Sequence, residues 1–182
     1  MGRKIVGIDL AGKEENPTGV AFFDGREIIT ATLHSDDEIT VACAGASLAA
    51  IDAPLSLPRK GALRKCDLLL IGRGFRVFPP CFGGMSTLTK RGAALAKKLR
   101  QRGLNVIEIH PRTSAVILFG TDERKEWVKI MKKRGIRFCR AASNHEIDAA
   151  IAALTGWLHL QKKTEEVGGR DGKIIIPLHR AF

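Results

Sequence analysis

The sequence predicts an α/β fold built on a mixed five-stranded sheet, a three-strand antiparallel meander followed by parallel strands, with helices on its flanks. Two observations predict it. The first third of the chain carries three apolar, strand-like runs in quick succession, the second and third joined by Asp24-Gly25, a strong two-residue hairpin signal. From residue 47 onward, strand-like and helix-like segments alternate, which calls for crossover connections and parallel pairing in a sheet covered by helices.

Taken in order, residues 4–10 (KIVGIDL) are a nearly continuous apolar run, as in a central strand buried on both faces. The polar loop AGKEENP leads to TGVAFFD at 18–24, and REIITATL at 26–33 completes the meander. Ser35 and Glu38 have the S-x-x-E spacing of a capping box and open a short helix. SLAAID at 47–52 is the next strand, and a right-handed crossover places it parallel to the first. Residues 53–90 gather prolines and glycines, which predicts short helical turns and loops rather than one long element. Leu88, Leu95 and Leu99 give 87–102 helical spacing, with Gly103 as C-cap. NVIEIHP at 105–111 reads as a buried strand, and the charged stretch 122–134 as a helix ended by Gly135. A second capping box, Ser143 and Glu146, opens NHEIDAAIAALTGWLHLQKK. A GGRDG turn and a last strand, KIIIPL, follow. The reading is one domain over 1–182, with an irregular insertion at about 53–90.

The 182 residues are 45% hydrophobic, enough for a full core. No stretch approaches the roughly 18 consecutive apolar residues of a membrane helix, and the charged start runs straight into a strand with no leader pattern. The expectation is a cytoplasmic protein without membrane partners. Cys43, Cys66, Cys81 and Cys139 form no C-x-x-C pair, so they read as reduced thiols and indicate neither zinc nor a redox motif. Thirty Lys and Arg against 19 acids give a net charge of +11, which favours a polyanionic partner, nucleic acid (DNA or RNA), over a generically basic surface. With 5% aromatic residues and no Tyr, a base-stacking platform for single strands is disfavoured. The oligomeric state is left open, a homodimer included.

Two strands end on a carboxylate: Ile8 precedes Asp9, and Ala49, Ala50 and Ile51 precede Asp52. A charge at the edge of a buried run is costly unless it is paired, hydrogen-bonded or holding a metal. If the two strands are neighbours, Asp9 and Asp52 stand side by side at the carboxyl edge of the sheet, where open α/β sheets usually place their sites. Asp148 joins them from the last helix, three residues after His145 and above the small Ala149, Ala152 and Ala153. Helix-dipole stabilisation accounts for Asp148 equally well, and His145 is either a capping residue or a member of the site. Three converging carboxylates call for a divalent cation, and hard oxygen ligands suit Mg²⁺ or Mn²⁺. Such ions activate water for phosphodiester hydrolysis.

These residues resemble the RNase H-like superfamily, and within it a family of predicted nucleases. The resemblance runs over nearly the whole chain: GIDLA at 7–11 with TGVA at 18–21, IDAPLSLP at 51–58, Arg64, Cys66 and Asp67, the Met85…Leu88…Arg91-Gly92 run, EIHP at 108–111 and HEIDAAIAALTG at 145–156. The last of these is also similar to the final motif of RuvC-type Holliday-junction resolvases, although this chain has Asp52 where those enzymes usually carry Glu. The resemblance implies a metal-dependent nuclease with acids on the first strand, the fourth strand and the last helix, roles that fall on Asp9, Asp52 and Asp148, with His145 as companion.

Glu108 closes an apolar strand and is either an outer ligand of the catalytic site or the partner of a buried Arg. Arg64 and Asp67, three apart, either pair with each other or leave Arg64 to join Arg91 and Lys13 in holding substrate phosphates. His110 before Pro111 reads as a turn former. A non-catalytic nucleic-acid-binding or assembly protein on the same fold is the alternative. An actin-like phosphotransferase is disfavoured, because Gly12 follows Asp9 but no hydroxyl appears until Thr18.

Overall fold

The computed structural model describes residues 4–140, 142–179 and 181–182; the charged start at 1–3 lies outside the described residues. In chain order the elements are β1 (Ile5–Asp9), β2 (Thr18–Phe23), β3 (Glu27–Leu33), α1 (Asp36–Ala42), β4 (Leu48–Asp52), α2 (Lys65–Gly72), α3 (Gly83–Gln101), β5 (Asn105–Glu108), α4 (Pro111–Phe119), α5 (Arg124–Lys133), β6 (Arg137–Phe138), α6 (Asn144–Leu160), β7 (Thr164–Gly169) and β8 (Gly172–Pro177). The main sheet runs β5-β4-β1-β2-β3-β6. Strands β1, β2 and β3 form the antiparallel meander, and β4 and β5 continue in parallel beyond β1.

The meander turns where its sequence dictates. Asp24 Oδ1 accepts from the backbone N–H groups of Arg26 and Glu27, both at 2.8 Å, an Asx-type closure of the β2–β3 connection. Strands β1 and β4 are apolar up to their closing acids because each is covered on both faces. One face carries Ile5, Ala21, Phe23, Leu48 and Ala50 against α4, α5 and α6; the other carries Val6, Ile8, Val20, Ala49 and Ile51 against Ile39 of α1 and Leu95, Ala96 and Leu99 of α3. Alternation along a strand sends successive side chains to opposite faces. Asp9 therefore shares the face of Ile5 and Gly7, and Asp52 that of Leu48 and Ala50, so both point toward α6.

Several elements differ from the sequence reading. The first five expected strands are joined in the main sheet by the two-residue β6, which pairs in parallel with the β3 edge. The final strand, β8, pairs antiparallel with β7 in a separate hairpin and, among the described residues, meets the main sheet through the bridge Ile109 to Ile175. One helix, α4, was not among the expected elements, whereas α2 falls in the stretch expected to hold short helical turns and loops. In α2 the backbone N–H of Arg64 donates to Asp67 Oδ2 at 2.8 Å, closing the first of those turns. In α4 the buried Thr113 and Ser114 break the apolar stripe, so no helical period is visible. Helix α3 begins at Gly83, four residues before its apolar spacing does.

Candidate active site

The site is assembled at the carboxyl ends of β1 and β4. In the parallel register Ile5 faces Leu48 and, at the far end, Asp9 faces Asp52. The two carboxyls come within hydrogen-bonding reach of each other, and no donor among the described residues reaches Asp52. Burial pushes the Asp52 carboxyl well above the usual carboxylate range, reinforced by the charges of Asp9, Asp148 and Glu108. Asp9 is raised too, by burial first; the contact with His145 works in the opposite direction.

The third acid is delivered by α6. Ser143 Oγ accepts from the Glu146 N–H at 3.3 Å while Glu146 Oε2 accepts from the Ser143 N–H at 2.8 Å, the capping box expected from the sequence. Glu146 is also paired with Arg140. What lets this helix end descend onto the sheet is the absence of two side chains. A Cβ on Gly7 would stand 2.0 Å from the Ala149 carbonyl oxygen, and one on Gly19 2.2 Å from the His145 carbonyl oxygen. With both positions Gly, His145 Nδ1 lies 2.7 Å from Asp9 Oδ2, and Asp148 stands over the strand ends. Both oxygens of Asp148 are taken up by one guanidinium: Arg124 donates from Nε to Oδ1 at 2.8 Å and from Nη2 to Oδ2 at 2.6 Å. Asp148 chiefly, with Asp9 and Asp52 behind it, holds Arg124 more firmly protonated. Arg124 is the first residue of α5 and lies 5.7 Å from the Trp127 ring.

Of the other residues singled out in the sequence, Arg64, Asp67, Glu108 and His110 line the same cleft as the three acids, while Lys13 and Arg91 do not. Strand β5 is registered so that Glu108 faces Ile51, one step out of phase with Asp52, and its side chain leaves on the other face. There it meets Arg64, which is 1% exposed. Arg64 donates to Glu108 from Nη1 at 2.8 Å and Nη2 at 2.7 Å, and to Asp67 from Nε at 3.0 Å and Nη2 at 2.8 Å. Glu108 Oε2 also accepts the Leu55 N–H at 2.8 Å. Burial raises the Glu108 carboxyl, and Arg64 pulls it back down. Glu108 thus has the buried Arg as a partner and lines the cleft of the three acids as well. Arg91 donates to Asp36 at 2.9 Å and to the carbonyls of Ala11 at 2.8 Å and His34 at 2.6 Å. Both arginines thus do similar work: Arg91 grips the chain just after Asp9, and Arg64 with Glu108 grips it just after Asp52. Lys13 is exposed on the loop between β1 and β2, and its ammonium makes no bond among the described residues.

Asp9, Asp52, Asp148 and Arg124 line a cleft of about 250 Å³ together with Phe78, Met85, His110 and Arg112. Phe78 is 70% exposed at its mouth. Past His110 and Arg112 the cleft opens into a shallower groove of about 730 Å³ that adds Arg73 and Arg76. Burial, with Arg112 alongside, lowers His110; its Nδ1 lies 2.7 Å from Thr113 Oγ1. Arg124 and Arg112 escaped the sequence reading. Each belongs to a helix whose local pattern carries no mark of the acids it faces.

The donor chemistry suits Mg²⁺ or Mn²⁺: hard oxygens, crowded negative charge and an acid with no N–H donor. Asp9 and Asp52 fit this as they stand. Asp148 is engaged by Arg124, and among the described residues no three acidic, His or Cys side chains form a ready ligand set.

A protein-family profile described as "Protein of unknown function (DUF429)" matches residues 7–171. The chain belongs to that family. The matched span opens two residues before Asp9 and closes at Asp171, so every residue of the cleft except Ile174 lies within it. The comparison with curated proteins finds no match. Among solved structures, RuvC from T. thermophilus in complex with a Holliday junction substrate aligns with a TM-score of 0.55 at 12% identity, covering 88% of this chain and 96% of that one. A second structure of Thermus thermophilus RuvC gives 0.52 at 11% identity, covering 88% and 97%. The fold is therefore RNase H-like, as the sequence motifs implied. Among the described residues no helix is long and apolar enough to cross a membrane.

Proposed function

We propose that this chain is a divalent-metal-dependent nuclease that hydrolyses phosphodiester bonds in nucleic acid. The observation that carries the reading is the in-register pair Asp9 and Asp52, joined by Asp148 from α6 at one cleft. Asp9 and Asp52 would hold Mg²⁺ or Mn²⁺, which when bound supplies an activated water and stabilises the leaving oxygen. His145 orients Asp9 through its 2.7 Å contact. The Arg91 and Arg64–Glu108 clamps keep the two acid-bearing chain segments from spreading. Arg112 and Arg76, on the groove continuing from the cleft, would take backbone phosphates. The net charge of +11 supports this partner class, as does the Holliday junction held by the matched RuvC.

The test is cleavage of labelled duplex, single-stranded and junction DNA, and of RNA, in Mn²⁺, Mg²⁺ or EDTA. Cleavage is expected with metal only, falling at least about 100-fold in Asp9→Asn and Asp52→Asn. Undiminished activity in those variants sinks the reading. A second reading, a non-catalytic nucleic-acid-binding protein, draws on the Arg124 grip that already neutralises Asp148. Its mark is salt-sensitive binding with no cleavage in any divalent metal.

A further inference from the structure

We propose that Arg124 is a built-in counter-ion of the carboxylate cluster, one that leaves Asp148 when a divalent cation binds. The inference rests on the metal-dependent reading above and concerns what must happen for Asp148 to become a ligand. Both oxygens of Asp148 accept from Arg124, so the guanidinium and a metal ion compete for the same lone pairs.

The two buried-charge arrangements of this protein differ in a way that shows which one is built to open. Arg64 is 1% exposed and is held by two carboxylates and Ser56; releasing it would strand buried charge. Arg124 has an exposed side chain, 42% accessible against 12% for Asp148, and a single carboxylate partner. It sits at the first position of α5, where a side chain can swing without disturbing the helix. Asp148 by contrast is fixed on α6, whose approach to the sheet is set by Gly7 and Gly19. The mobile partner is the arginine, and its pair is of the partly exposed class that contributes little to stability. In the absence of metal, Arg124 supplies the cation that three neighbouring acids require.

Competition of this kind predicts that removing the guanidinium tightens metal binding. Mn²⁺ is titrated into the full chain without nucleic acid, and free ion is read from its electron paramagnetic resonance signal. Arg124→Met is expected to bind Mn²⁺ about fivefold tighter than wild type, the upper end of what one partly exposed ion pair supplies. Arg124→Lys, which keeps the charge but not the two-point grip, should fall between them, and it carries the test alone if Arg124→Met does not fold. Arg112→Met, a cation lining the same cleft but paired with Asp122, should change affinity by less than about twofold. Unchanged or weaker binding in the Arg124 variants overturns the exchange, as does equal tightening in Arg112→Met, which would mean a general charge effect. If neither wild type nor any variant binds Mn²⁺, the metal-dependent reading falls first and this inference with it.

Discussion

Replacing Asp52 by Asn should stabilise the metal-free protein while abolishing its activity. Neighbouring strands are about 4.8 Å apart, and Asp9 and Asp52 face each other across that gap. Their carboxyls come within hydrogen-bonding reach, and two unit charges about 3.5 Å apart would repel by about 5 kcal/mol at an effective dielectric of 20. Arg124 and partial protonation relieve some of this, leaving about 2 kcal/mol at neutral pH. The sign follows from burial, which raises both carboxyls above their ordinary range. A group whose folded-state pKa is raised contributes its full stability below the unfolded carboxylate range and loses it as pH rises through the folded value. The wild type in EDTA should therefore lose stability between about pH 4 and neutrality, and Asp52→Asn should lose less. At pH 7.5 the variant should melt about 4–8 °C higher, taking 2–4 °C per kcal/mol for a chain of this size, and the two curves should converge near pH 4. The assay is thermal unfolding by circular dichroism in EDTA across that range. An Asn variant that melts at or below wild type at pH 7.5 refutes the argument, since Asp52 would then be no site of stored repulsion.

Other expectations concern the supports of the site. Arg64→Met leaves Glu108 and Asp67 buried without their cation, a loss of about 3–5 kcal/mol that should appear as a large drop in melting temperature; an unchanged melt would show that the clamp is dispensable. Gly19→Ala drives a Cβ into the backbone carbonyl of His145. The cost should be about 1–3 kcal/mol, and metal-dependent cleavage should fall by more than the loss of folded protein accounts for. Arg76→Ala and Arg112→Ala should each weaken nucleic-acid binding evenly across sequences and reduce the slope of log affinity against log salt by about 1; unaltered slopes would remove the groove from the binding path.

Much of the scaffold is legible locally. The Asp24 turn, the capping boxes at Ser35 and Ser143, and the apolar runs ending at Asp9 and Asp52 are all written within a few residues. They correspond to the β2–β3 hairpin, the starts of α1 and α6, and the strands β1 and β4. The missed helix fails for a local reason as well: α4 mixes β-branched and buried polar residues.

What the amino-acid order determines by itself is the mounting of two carboxylates at strand ends, because alternation and chain stiffness act between neighbours. What only the tertiary structure decided is which partner each charge meets. Glu108 and Asp52 look alike as acids closing apolar runs, yet a one-residue offset in register sends them to different faces, one to Arg64 and the other to Asp9. Arg64 reaches Glu108 across 44 positions, Arg91 reaches Ala11 across 80, and Arg124 reaches Asp148 across 24. No local period encodes such separations. They arise when the sheet register and the glycine-permitted descent of α6 bring long side chains within reach, and only then does an arginine become a clamp on a loop or a cation at a cleft.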